Sequence, residues 1–391
     1  MLIHEKLDQA AGILQDEDVG LWLTLARETL LTKDPCLDLI AGTYCAWHSA
    51  FLVAAKGERI AIVGRFDAPN LREQGAYGEV IAYDESLAPH LREVIARLDP
   101  RSIALNYSTS DPAADGLTHG LWLLLQETLA GTPYADRLVS SEAIVNALRG
   151  RKSPEEVRRI RSAVADTEEI FERVTGSLEP GQSELEIAKV MHDEVAKRGL
   201  GYAWGEDHCP AVNAGPDKDV GHSSPSGLRL ERGQLLHVDF GVLRDDYCSD
   251  LQRVWYLADG DGIPAEVDSA WVALWSAVDA GVAVLKPGAV GSDVDAAARE
   301  TLIAAGFPEP MYALGHQLGR AAHDGGTLLG PRWDRYGAAP TGVVEEGNVF
   351  TLEFGTAVPG RGYIGLEENV LVTAGGVEWL STPQRDLWLV G

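Results

Sequence analysis

Residues 235–257 read LLHVDFGVLRDDYCSDLQRVWYL. Two apolar, β-prone runs flank a polar tip at Leu243–Asp246, the pattern of a β-hairpin. Asp239 and Asp250 lie at equal sequence distance from the centre of that tip. On a symmetric antiparallel hairpin they would face each other, with Cβ atoms roughly 5 Å apart. Like charges so placed destabilise a sheet, and a bound divalent cation would compensate them. The plainer alternative is a pair of solvated acids beside a loop.

Helical syntax on both sides of this stretch repeats. Ser153-Pro154-Glu155-Glu156 opens a helix with an N-cap Ser, Pro at the first helical position and a capping-box Glu; the helix is expected to reach about residue 178. Ser183-Glu184-Leu185-Glu186 opens a second, ending near Gly199. About 107 residues later the order recurs: a helix over 265–285, then Lys286-Pro287-Gly288, then Ser292-Asp293-Val294-Asp295 opening a helix to about Gly306. Leu178–Gly181 (LEPG) matches Leu285–Gly288 (LKPG). An internal duplication accounts for this. Chance is the alternative, since Pro-Gly after a helix is common.

A duplication demands a second hairpin with a second acid pair. Segments 349–354 and 363–373 are strand-like, joined by Val358-Pro359-Gly360-Arg361-Gly362, and Glu353 and Glu367 are equidistant from Gly360. Both glutamates sit in apolar surroundings, FTLEFG and GLEENV, where an unpaired carboxylate is costly. Four carboxylates converging between two halves suit a pair of divalent cations. Oxygen donors alone favour Mg²⁺ or Mn²⁺; imidazole admits Co²⁺, Fe²⁺ and Zn²⁺. The imidazole candidates are His316 and His323 in GHQLGRAAHDGG (315–326), where flanking glycine lets the chain bring His316 close.

The first 150 residues alternate strand and helix signals and predict a mixed α/β domain. Strands are expected near 19–26, 50–55, 59–63, 80–83 and 103–106, and helices near 2–15, 86–98 and 116–129. No catalytic constellation stands out; Trp47-His48 is taken as structural. Residues 149–152 (RGRK) are expected to link the two domains, 1–150 and 151–391. A hydrophobic share of 45% supplies material for sizeable cores. The net charge, 33 − 59 = −26, argues against nucleic acid or an anionic membrane as partner. The four cysteines form no CxxC pair, and acidic residues stand where a signal peptide needs an apolar core. Trp271–Leu285, the most membrane-like stretch, is interrupted by Asp279. The expectation is a cytoplasmic protein with free thiols.

Taken together, the Asp, Asp, His, Glu, Glu order, the eleven-residue Asp spacing, the GH…G…H loop, EEGNVFTLEFG (345–355) and GLEENVLVT (365–373) resemble the dinuclear-metal peptidases of the pita-bread fold. These include methionine aminopeptidase, aminopeptidase P and prolidase. The resemblance covers about 149–391; residues 1–150 are similar, less specifically, to the N-terminal domain of the prolidase, aminopeptidase P and creatinase branch. It implies an α/β (α+β) chain with a creatinase-type N-terminal domain and a pseudo-twofold pita-bread catalytic domain. It implies two divalent ions per subunit, Mn²⁺ favoured and Co²⁺ or Zn²⁺ possible. Asp239 would chelate one ion, Asp250 and Glu367 would bridge both, and His316 and Glu353 would complete the set. A hydroxide between the ions would attack the scissile carbonyl, with Glu353 relaying its proton and His323 stabilising the intermediate or helping to protonate the leaving nitrogen. His222, in GHSSP, would face substrate. The family commonly has a His where Tyr312 stands and an Arg where Gly365 stands; Tyr312 as donor and Arg361 or Arg320 as charge are the candidate replacements. The implied activity is Xaa-Pro dipeptidase on short proline-containing peptides, in a homodimer. The alternatives are an Xaa-Pro aminopeptidase on longer peptides, a metal-dependent lyase or amidase, and a non-catalytic binding protein on the same fold.

Overall fold

Strands with every residue buried need cover on both faces, and the N-terminal half supplies it. The structure is a computed structural model describing residues 2–218, 221, 223–260 and 262–391. The chain divides into two compact units, Met1–Arg149 and Gly150–Gly391. In the first, strands β1 (Leu21–Ala26), β2 (Ser49–Ala54), β3 (Arg59–Gly64), β4 (Glu79–Tyr83), β5 (Ile103–Leu105) and β6 (Leu138–Ser140) form one sheet in the order β4-β3-β2-β1-β5-β6. β1 and β2 are buried throughout. Leu21, Leu23 and Leu25 enter one core while Trp22 and Ala26 enter the other, as period-two alternation requires.

The strands and helices expected here are present, within a few residues. Strand β6 and the helix Glu142–Gly150 were not expected. The boundary between the units falls inside the stretch read as a linker; within that stretch the helix runs to Gly150, and the Lys152 ammonium is buried against Asp324 at 3.0 Å.

The second unit opens with helices Pro154–Thr175 and Glu184–Arg198, each carrying the expected capping box, at Ser153/Glu156 and Ser183/Glu186. Helices Ala265–Val284 and Gly291–Ala304 repeat the pair. The helix expected to open at Ser292 begins at Gly291 with no side-chain cap, and Asp295 binds Arg299 and the Leu314 amide. Helix Ala265–Val284 is the one described helix long and apolar enough to cross a membrane. Its Val267, Ala270, Leu274, Ala277 and Val278 lie in a core with Phe350, Leu352 and Phe354 of the sheet, so here it is a core helix.

The strands of this unit are β7 (Gly201–Tyr202), β8 (Ala211–Ala214), β9 (Leu235–Phe240), β10 (Val242–Arg244), β11 (Tyr247–Cys248), β12 (Leu251–Leu257), β13 (Val349–Val358), β14 (Gly362–Thr373), β15 (Gly376–Trp379) and β16 (Trp388–Val390). The main sheet runs β13-β14-β12-β9-β8, with β15 on β14 and β16 on β12. All four cysteines are free and buried.

Candidate metal centre

Both hairpins form, but their registers differ from each other and, for the first, from expectation. The first turns at Asp245-Asp246, with φ of 49° and 66°. Two consecutive left-handed residues are the mark of a two-residue hairpin turn matched to strand twist. Arg244 then pairs with Tyr247, Leu243 with Cys248 and Phe240 with Leu251. Asp239 therefore faces Gln252, not Asp250. The tip lies one residue later than the sequence suggested, which shifts every partner by two. A two-residue shift keeps side chains on the same face, so Asp250 stays beside Asp239 as a diagonal neighbour.

The second hairpin pairs Glu353 with Glu367 directly. Gln252 in turn pairs with Glu367. Asp239, Gln252, Glu367 and Glu353 thus form one rung across the adjacent strands β9, β12, β14 and β13. Asp250 lies two residues along from Gln252. The Asn369 side chain stands in for the missing ladder there, accepting from the Asp250 amide at 3.2 Å and donating to its carbonyl at 2.6 Å.

His316 arrives from outside the sheet. Its segment lies along β13: the Thr351 amide donates to the His316 carbonyl at 2.9 Å and the Glu353 amide to the Leu314 carbonyl at 2.6 Å. A side chain at Gly315 would overlap the Thr351 carbonyl, so only glycine lets the segment lie this close. The imidazole Nε2 stands 3.8 Å from Asp250 Oδ2, 3.7 Å from Glu353 Oε1 and 3.9 Å from Glu367 Oε1. Those separations are too long for hydrogen bonds and suit donors that share a cation. Nδ1 faces the Gln317 carbonyl at 3.4 Å, which favours its proton there and leaves the Nε2 lone pair free. Burial, then the neighbouring His323, lowers the His316 pKa to about 3, so the ring is neutral. His323 stands edge-on to it, with centroids 4.3 Å apart. The loop between the two histidines is anchored by Asp324, which binds Lys152 and accepts from the Ala321 amide.

Without a cation the carboxylates are in conflict. Burial raises Asp239 to about 7, the strain relieved in part by a hydrogen bond from Asp250. Burial and then the Asp239 charge push Glu353 up to about 8. Asp250 and Glu367 are held well above the usual range, by burial first and by neighbouring charge second. Among the described residues, Asp239 Oδ1 and Glu367 Oε1 are buried with no hydrogen-bond partner. Acids that repel one another, two orphaned oxygens and a neutral imidazole make a donor set that fits divalent cations.

The other sequence candidates fare differently. The Tyr312 hydroxyl pairs with that of Tyr363 at 3.0 Å; burial pushes Tyr363 to about 12 and Tyr312 well above its ordinary value. Arg361 sits at the second hairpin's turn, bound to Asp259, Glu266 and the Gly233 carbonyl. Six residues of strand separate it from Glu367, roughly 20 Å. Arg320 pairs with Asp246 at 3.4 Å, at the first hairpin's turn. His222 lies outside the described residues. Sequence reasoning missed Gln252, His237, Asn213, Tyr363 and Asn369. Period-two spacing from Asp239, Asp250 and Glu367 would have put His237, Gln252, Tyr363 and Asn369 on the same faces.

Comparisons with known proteins agree with this architecture. YkvY of Bacillus subtilis (strain 168), provisionally named a dipeptidase, is 26% identical over 377 residues, 94% of this chain and 98% of its own. The Xaa-Pro dipeptidase from Bacillus anthracis shares the fold with a TM-score of 0.75 and 20% identity over 99% of each chain. The X-Pro aminopeptidase from Thermotoga maritima MSB8 does so with a TM-score of 0.72 and 21% identity, over 98% of this chain and 99% of its own. The expected mixed α/β, pita-bread architecture is therefore the fold of this chain. Residues 158–374, more than half of its length, match the family model, and the chain belongs to metallopeptidase family M24.

Proposed function

We propose that this metallopeptidase hydrolyses Xaa-Pro bonds in short peptides, foremost as an Xaa-Pro dipeptidase. The observation that carries the reading is the carboxylate rung with two orphaned oxygens, one of which, Glu367 Oε1, stands 3.9 Å from the neutral His316. Asp239, Asp250, His316, Glu353 and Glu367 would hold two divalent ions, with Mn²⁺ the favoured pair. Bound there, such ions supply Lewis acidity toward a carbonyl and lower the pKa of water. Glu353, whose carboxyl is the more exposed of the two facing glutamates, would take the proton of the attacking water and pass it to the leaving nitrogen. His323 would donate to the developing oxyanion. The Tyr312–Tyr363 hydroxyl pair would meet the substrate as a neutral donor, and His222 would face it as the family resemblance implies. A cytoplasmic homodimer completes the proposal.

The aminopeptidase reading has its own support. Arg361 is committed to Asp259 and Glu266, so this cation is not at hand to hold a dipeptide's terminal carboxylate. A decisive assay strips the protein of metal, reloads it with Mn²⁺, Co²⁺ or Zn²⁺, and offers Ala-Pro, Ala-Pro-Ala and Ala-Ala. Cleavage confined to Ala-Pro supports the dipeptidase. Faster cleavage of the tripeptide supports the aminopeptidase, and no cleavage with any ion overturns both.

A further inference from the structure

One member of the rung is not an acid. Gln252 stands between Asp239 and Glu367, and its amide nitrogen reaches Glu367 Oε2 at 2.9 Å and Glu353 Oε2 at 3.3 Å. With cations bound both glutamates are ionised and only accept, so the Gln252 –NH₂ must face them and its carbonyl must face away. That carbonyl lies 2.8 Å from His237 Nε2, which must therefore carry a proton and donate. The other ring nitrogen, Nδ1, is then an acceptor for the Asn213 amide at 3.0 Å. All three side chains are buried, so the polarity of the chain Asn213, His237, Gln252 is set from the carboxylate end.

We propose that Gln252, aligned by His237 and Asn213, is a positioning residue that sorts the oxygens of both glutamates. Oε2 of each is tied to the amide, and Oε1 of each is turned toward His316. A neutral amide does this without adding a positive charge that would compete with the cations. Gly365 makes the room: a side chain there would overlap Gln252 Oε1 and His237 Nε2. The proposal rests on the reading of this site as a cation site.

The test is Mn²⁺ titration of the metal-stripped full-length protein by calorimetry, with the visible spectrum of the Co²⁺-loaded protein as a second readout. Gln252→Leu is expected to weaken Mn²⁺ binding about 10- to 100-fold and to alter the Co²⁺ spectrum. With saturating Mn²⁺, kcat falls and KM changes little. Asn213→Leu, at the far end of the chain, should weaken binding by a smaller factor, and Gln252→Glu by the largest, since an acceptor replaces the donor. If native protein binds Mn²⁺ and Gln252→Leu binds it within twofold with an unchanged Co²⁺ spectrum, the positioning role is overturned. If native protein binds no Mn²⁺, the cation reading itself falls. Should Gln252→Leu fail to fold, by circular dichroism, the same comparison on Asn213→Leu decides, and an unchanged affinity there overturns the proposal.

Discussion

The two hairpins of the second unit do the same work with different registers. The one around Gly360 is symmetric about its turn and sets Glu353 against Glu367. The one around Asp245-Asp246 turns one residue later than its apolar pattern suggests and sets Asp239 against Gln252. One hairpin therefore gives two acids in a rung, and the other gives an acid and an amide, with its second acid displaced diagonally. The face of a strand follows from alternation, whereas the partner across the ladder follows from where the turn falls. An even shift preserves the first and changes the second.

Removing the displaced acid is the strongest way to test whether the hairpins are equivalent. Asp250→Ala should abolish Mn²⁺-dependent peptide hydrolysis, a loss of at least about 100-fold in kcat/KM. Activity near the native level would show that only the symmetric hairpin matters. The second hairpin leans on the His316 loop, and that loop leans on the buried Lys152–Asp324 pair. Lys152→Met removes the buried cation that faces Asp324 and should cost about 3–5 kcal/mol in urea unfolding. A loss below about 1 kcal/mol would mean the loop is held by other contacts.

The acids of both hairpins also predict an inverted pH dependence. Asp239 and Glu353 have folded pKa values near 7 and 8, raised above ordinary values of 3.8 and 4.5. In metal-stripped protein the folded state keeps protons that the unfolded state releases above about pH 4. Their stabilising contribution is present in full below that pH and is lost as pH rises through 7 and 8. Cations replace those protons, so the gap in Tm between loaded and stripped protein should widen from pH 5 to pH 8. A constant gap would mean that the acids do not titrate together. The smallest effect belongs to the turn. Asp246→Gly relieves one left-handed residue and should raise stability by about 0.5 kcal/mol in denaturant midpoint, with Mn²⁺ affinity unchanged.

Much of this was legible from residue order. Ser153 and Ser183 announced their caps because a capping box is local chemistry. Glu353 and Glu367 could be paired because Pro359-Gly360 marks its turn plainly. Asp239 and Asp250 could be placed on one face but not in register, since LRDDY contains no glycine to locate the tip. Gln252 was passed over because a neutral amide in a strand carries no charge to flag it; only its rung partners reveal its role. Residues 149–152 looked like a linker by composition, but Lys152 has a buried acid waiting far along the chain, a pairing no local pattern announces.

Gly355 and Gly365 face each other across the second hairpin, two residues along from the glutamates and on the same face. A side chain on the first would overlap the Tyr363 hydroxyl, and one on the second would overlap Gln252 and His237. The floor beneath the acids is thus shared property, and its occupants are mutually exclusive. A bulky residue at 365 is tolerable only after 252 and 237 have shrunk, while shrinking them first exposes the glutamates to disorder. The sites should show strong epistasis, with double variants far from the sum of singles. A lineage carrying this floor is held to it, because each single step toward another passes through a damaged enzyme.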